Sequence, residues 1–98
     1  MKRYKGERTF DAIVVTVDDR ALDARRDLNL FTENHFEWGY EGDESRQLAL
    51  AILADCQTDD VATKLTEPFM REIVANFGNE WEITSDQVLQ AVADLTDH

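Results

Sequence analysis

The run Leu48-Ala49-Leu50-Ala51-Ile52-Leu53-Ala54 constrains the fold more than any other stretch of the chain. It has no period of two, so it does not suit a half-exposed strand. Wound as a helix over residues 44–56, it places Leu48, Ala49, Ile52, Leu53 and Cys56 on one stripe, with Leu50, Ala51 and Ala54 elsewhere. A helix apolar nearly all round has to be covered on most sides. A chain of 98 residues supplies cover for one such helix, so residues 1–98 are read as a single domain. The same run is the longest apolar stretch and falls far short of the roughly 20 residues of a membrane span. No membrane partner is expected.

Strands are expected first. Residues 4–6 read as a short edge strand, with Gly6 starting a turn. Residues 12–17 (Ala-Ile-Val-Val-Thr-Val) are β-branched and apolar on both faces, which suits a strand near a sheet centre. Asp18-Asp19 then makes a hairpin turn, and residues 20–22 return along the strand. Residues 23–34 read as a surface loop in which Leu28, Leu30 and Phe31 are buried through one helical turn. Phe36-Glu37-Trp38-Gly39-Tyr40 alternates strictly, which predicts a strand with three rings on one face.

Helices follow. Asp43 or Ser45 is available as N-cap of the central helix. Beyond Thr58, Val61, Leu65, Phe69, Ile73 and Phe77 recur every fourth residue, with Pro68 inside the stripe. Proline removes one backbone donor, so a bent helix or two short ones are expected, Thr66 capping the second and Gly78 stopping it. Residues 81–83 form a short strand. Thr84-Ser85-Asp86-Gln87 matches a capping box and opens a last helix that buries Val88, Leu89, Val92 and Leu95, with frayed final residues. Strands that pair as hairpins and helices that come in a row give an α+β fold. The expected architecture is a small antiparallel sheet of three to five strands with about three helices on one face.

Charge bears on function more than on fold. Residues 1–26 carry +2 and residues 27–98 carry −13, for a net −11, with three Lys among ten basic side chains. A surface this acidic repels the nucleic-acid backbone, so no direct nucleic-acid binding is expected. Three readings compete: adaptation to high salt, nucleic-acid mimicry, and an acidic protein with no message. Scarce Lys has no role in mimicry and fits a halophilic solvent. No apolar leader follows Met1, and Cys56 is alone, so a soluble cytoplasmic chain without disulfides is expected.

Phe36-Glu37-Trp38-Gly39-Tyr40-x-Gly42, followed by the helix Gln47-Leu48-Ala49-Leu50-Ala51-Ile52-Leu53-Ala54-Asp55, resembles a family of small prokaryotic proteins catalogued as a domain of unknown function. The likeness runs from Tyr4 to about Val92. The family's pattern opens with Tyr-x-Gly and closes on a Trp-x-hydrophobic-Thr helix start; many relatives have small residues or Pro where this chain has Asp43-Glu44-Ser45. The resemblance implies a shared fold and a bacterial or archaeal source, salt-loving groups included. It brings no catalytic or binding residues.

Candidate chemistry is sparse. His35 and Glu37 would share one face of a strand, as an acid/base pair or two metal ligands. The simpler reading is a solvent-facing pair on the polar side of the sheet, since the only other imidazole is His98. Gly39-Tyr40-Glu41-Gly42 before a helix has the glycines of an anion-binding turn. It lacks the Lys and Ser/Thr of a P-loop, and its carboxylates repel phosphate. Asp18-Asp19, Asp43-Glu44 and Asp59-Asp60 suit hairpin tips and helix first turns better than a cation loop. Cys56 continues an apolar stripe and reads as an inert small hydrophobe rather than a nucleophile paired with His35. Of the aromatic row joined by Trp81, Trp38 reads as core.

These readings lead to no catalytic residue, no cofactor and no metal. The expected activity is non-enzymatic binding of an unidentified protein partner, or a homodimer through an open sheet edge or the aromatic face. Tyr40, Trp81, His35 and Glu37 are the expected partner surface. The alternatives are an acidic nucleic-acid mimic that inhibits a DNA- or RNA-binding enzyme, and a small enzyme centred on His35 and Glu37.

Overall fold

The computed structural model describes residues 1–96. The expected fraying falls partly on residues 97–98, outside the described residues. Strand β1 (Arg3–Arg8) turns through residues 9–12 into β2 (Ile13–Val17), and Asp18-Asp19 leads into a two-residue β3 (Arg20–Ala21). Both turn aspartates sit at positive φ, 48° and 67°. That is the left-handed pair a tight two-residue hairpin requires. Three helices follow, α1 (Asp43–Cys56), α2 (Asp59–Glu72) and, after strand β4 (Glu80–Thr84), α3 (Ser85–Thr96). The sheet is antiparallel in the order β3-β2-β1-β4, giving the expected α+β fold.

Residues 4–6 are not an edge strand. β4 pairs along the outer side of β1, opposing Tyr4 to Ile83 and Gly6 to Trp81, so β1 is interior. Gly6 does not turn the chain either. The Trp81 ring fills the space over it, and a Cβ at this position would overlap Trp81 Nε1 and Cε2. Alternation then sorts the faces. Tyr4, Gly6, Val15, Val17, Trp81 and Ile83 face the helices; Arg3, Lys5, Glu7, Glu80 and Glu82 face outward. On the open face Glu82 pairs with Arg3 at 2.7 Å and Lys5 at 3.8 Å.

Helix α1 is buried from residue 47 to residue 54, as its all-round apolarity demands. Its N-cap is neither Asp43 nor Ser45. Gly42 caps in extended backbone without a side-chain bond, Asp43 and Glu44 sit in the first turn, and Ser45 is buried. Two carboxylates at the positive end of the helix replace the missing cap. Thr58 caps α2, its hydroxyl accepting from Val61 N at 3.2 Å. Pro68 neither ends nor splits α2. The carbonyl it leaves without a donor is that of exposed Lys64, where water can serve. Thr66 therefore caps nothing, and its hydroxyl donates to Ala62 O at 2.7 Å. α2 ends at Glu72 before a 3₁₀ turn (Val74–Asn76), so Gly78 stops no helix. The capping box forms: Thr84 N donates to Gln87 Oε1 at 2.9 Å, and Gln87 N donates to Thr84 Oγ1 at 3.2 Å. α3 buries Val88, with Val92 and Leu95 half-buried, but Leu89 lies off that stripe and is exposed. No helix among the described residues is long and apolar enough to cross a membrane.

Residues 22–42 contain no strand or helix, so the alternating residues 36–40 do not form a strand. Side chains satisfy the backbone there instead. Gln47, fully buried on α1, accepts from Phe31 N (2.9 Å) and Thr32 N (3.3 Å) and donates to Ala24 O (2.8 Å) and Asn29 O (3.0 Å). Arg26 donates to Thr32 O and Asn34 O, and Glu44 accepts from the hydroxyls of Thr32 and Tyr40. One turn closes from Arg25 O to Leu28 N. Leu28 and Phe31 pack on the core, while Leu30 stays exposed.

Gln47→Leu keeps the bulk and removes all four bonds. It is expected to destabilise the fold by at least about 2 kcal/mol, since buried backbone groups lose their partners. For a domain of this size that lowers Tm by about 8 °C or more in a thermal melt.

Candidate functional site

The end of β1 carries Arg8 to the rim of the helix-covered face, where it meets the segment 36–39. Its guanidinium donates to Glu37 Oε1 (Nη2 at 2.7 Å, Nε at 3.2 Å), to Trp38 O at 2.6 Å and to Asn79 Oδ1 at 3.1 Å. It also lies 4.5 Å above the Trp38 ring, a cation–π distance. Below, Trp38 Nε1 donates to Gly78 O at 2.6 Å and the ring meets Trp81 edge-on at 5.7 Å. Trp81 in turn stacks on Phe77 at 4.3 Å. Gly39 takes φ +86°, which lets its N–H reach Val74 O at 3.1 Å. Residues 37–39 are therefore a plug over the aromatic core.

His35 and Glu37 do come together, His35 Nε2 lying 3.4 Å from Glu37 Oε2, but they are not a solvent-facing pair on a sheet. Glu37 turns inward to Arg8 while the imidazole remains largely exposed. Burial opposes the charge of Glu37; the hydrogen bond and charge of Arg8, helped by His35, outweigh it and hold the carboxyl below the usual range. Glu37 is thus an ionised, committed carboxylate. Burial pushes the Cys56 thiol up, and its Sγ donates to Ile52 O. Among the described residues no group of three or more His, Cys, Asp and Glu side chains is placed to hold a metal. The glycine turn before α1 packs rather than binds. A Cβ on Gly42 would strike the Tyr40 ring, while Glu41 pairs with Arg71 and Asp43 with Arg46.

Two adjoining grooves lie on the other side of His35. One, of about 280 Å³, is lined by Ile13, Val15, Leu22, Arg26, His35 and Phe36 among others. The second, of about 440 Å³, is lined by residues 9–13 and again His35. The first exists because β3 is only two residues long and leaves the start of β2 uncovered. The second surrounds the hairpin tip. Thr9 N donates to Ala12 O at 2.8 Å and Ala12 N to Thr9 Oγ1 at 3.0 Å, which closes a tight turn with Phe10 and Asp11 at its apex. The Phe10 side chain is fully exposed. In the adjoining first groove, Arg26 makes no ion pair with any carboxylate among the described residues, although the chain has 21.

Of the four side chains expected at a partner surface, only His35 lines these grooves. Tyr40 is partly exposed, its hydroxyl donating to Glu44 Oε1 at 2.9 Å; burial, then that hydrogen bond, pushes its pKa up to about 12. Glu37 is half-buried, and Trp81, 8% exposed, belongs to the core. Phe10 and Arg26 were not singled out by pattern. The signal for Phe10 is an aromatic between Thr9 and Asp11 in a turn, where polar residues are usual, and nothing local marks Arg26.

The lowered Glu37 carboxyl has a pH consequence. The unfolded chain takes up a proton on this group before the folded one does, so its stabilisation is present above about pH 4.3, the ordinary Glu value, and is lost as pH falls through the folded pKa. Glu37→Gln is expected to flatten the fall of Tm between about pH 5 and pH 3 relative to the parent chain. Parallel slopes in the two acid melts would remove the inference.

Neither a curated protein nor a solved structure matches the chain. A family model described as a family of unknown function (DUF6166) matches residues 4–94. With the match running from the first sheet strand into the last helix, the chain belongs to this family of unknown function.

Proposed function

We propose that the chain is a non-enzymatic binding domain that engages a protein through the tip of the first hairpin and the grooves around His35. The observation that carries this reading is Phe10, wholly exposed beside apolar grooves. Scattered exposed apolar side chains are ordinary on soluble domains. An aromatic held out by a closed turn, next to the apolar wall of Ile13 and Phe36, is a contact surface of the kind partners bury.

The enzyme reading is less well supported, because Glu37 is already held by Arg8 and lines neither groove. Mimicry is less well supported too. Glu41, Asp43 and Glu67 alternate with Arg46 and Arg71 in one ion-pair network, so they present mixed charge rather than a phosphate-like row. The acid excess is read instead as adaptation to a salty cytoplasm.

Phe10→Ala is expected to change stability by no more than about 0.5 kcal/mol, as for other exposed sites. In a pull-down at native salt, followed by mass spectrometry, the parent chain should retain a protein that Phe10→Ala does not. Equal retention by both would refute the proposed surface. The salt reading predicts that Tm rises as KCl increases from about 0.1 M to about 1 M, where the Debye length shortens to about 3 Å and self-repulsion fades. A flat or falling Tm would contradict it.

A further inference from the structure

Knob and hole lie side by side at the hairpin tip. The knob is Phe10 with Asp11 next to it at the apex of the turn. The hole is the 280 Å³ groove, with Ile13, Val15, Leu22 and Phe36 as apolar wall and Arg26 and His35 among its polar lining. The two share Ile13 and His35, so they form one continuous surface. The charges are complementary as well. Asp11 has no cationic partner, and Arg26 no carboxylate partner, among the described residues. An isologous twofold interface needs a single patch that carries both halves of the fit.

Resting on the binding reading above, we infer that the partner at this surface is a second copy of the chain. The Phe10 ring of each copy enters the groove of the other, and Asp11 of each meets the other's Arg26. The choice of a second copy over a foreign protein follows from self-complementarity and from charge placement. A chain at net −11 resists self-association over most of its surface, but this patch carries one carboxylate, Asp11, and one guanidinium, Arg26, neither in an ion pair among the described residues. Two copies related by a twofold therefore bring opposite charges together at this patch.

Sedimentation equilibrium from low micromolar to about 1 mM protein, at low and high salt, tests the inference. The parent chain should show a monomer–dimer equilibrium, and Phe10→Ala and Asp11→Arg should each weaken it at least tenfold. Asp11→Arg also reduces the net negative charge, so bulk repulsion alone predicts the opposite, tighter association. Arg26→Asp should likewise be monomeric. An equimolar mixture of Asp11→Arg and Arg26→Asp should regain the dimer, because each tip then faces a groove of opposite charge. Arg26 also holds Thr32 O and Asn34 O, so circular dichroism should accompany that variant. If Arg26→Asp does not fold, the two tip variants still decide. A parent chain that is monomeric throughout, or tip variants that dimerise like it, would overturn the inference. A monomer that still retains a foreign protein through Phe10 would overturn this inference alone and leave the binding reading standing.

Discussion

The side-chain amide of Gln47 is the contact on which the rest of the structure depends. A long connection without helix or strand is uncommon in a small domain, because its backbone donors and acceptors need partners once it is packed down. Gln47 supplies four, two on each side of its amide, from a fully buried place on the central helix. Helix α1 thus covers core and organises loop at once. The loop in turn sets Arg26, His35 and Phe36 along the margin of β2 that the short β3 leaves open, so one buried polar residue supports a wall of the groove.

A second constraint is the absence of a side chain at Gly6. The slot it leaves in β1 takes the Trp81 ring, which supports Trp38 and Phe77 and, through Trp38, the Arg8 guanidinium. Strand, tryptophan pair and arginine form one stack from the sheet to the surface. Its outermost member fixes Glu37 and so determines which residues near His35 are committed and which are free.

Local chemistry made much of this legible in the sequence. The aspartate hairpin, the Thr84–Gln87 capping box and the apolar helix are decided by neighbours a few residues apart, and the family that matches residues 4–94 is one of unknown function. Residues decided by distant partners were not legible. Gly6 opposes a tryptophan 75 positions on, which no local pattern shows. Residues 36–40 alternate as a strand does, yet Arg8 and Val74 satisfy backbone groups there that a neighbouring strand would have satisfied. At the candidate site His35 is evident from its spacing with Glu37. Phe10 and Arg26 gain meaning only when the short β3 leaves the groove open between them.

The β1–β4 pairing also gives the molecule an order of assembly. β1 finds β2 within a few residues, but its other neighbour is the segment Glu80–Thr84, close to the far end of the family match. During synthesis the first hairpin is exposed with the β4 side of β1 unpaired and the cleft over Gly6 empty until that segment leaves the ribosome. Closure of the sheet is thus a late, long-range event, set by chain topology and not by the local strength of either strand.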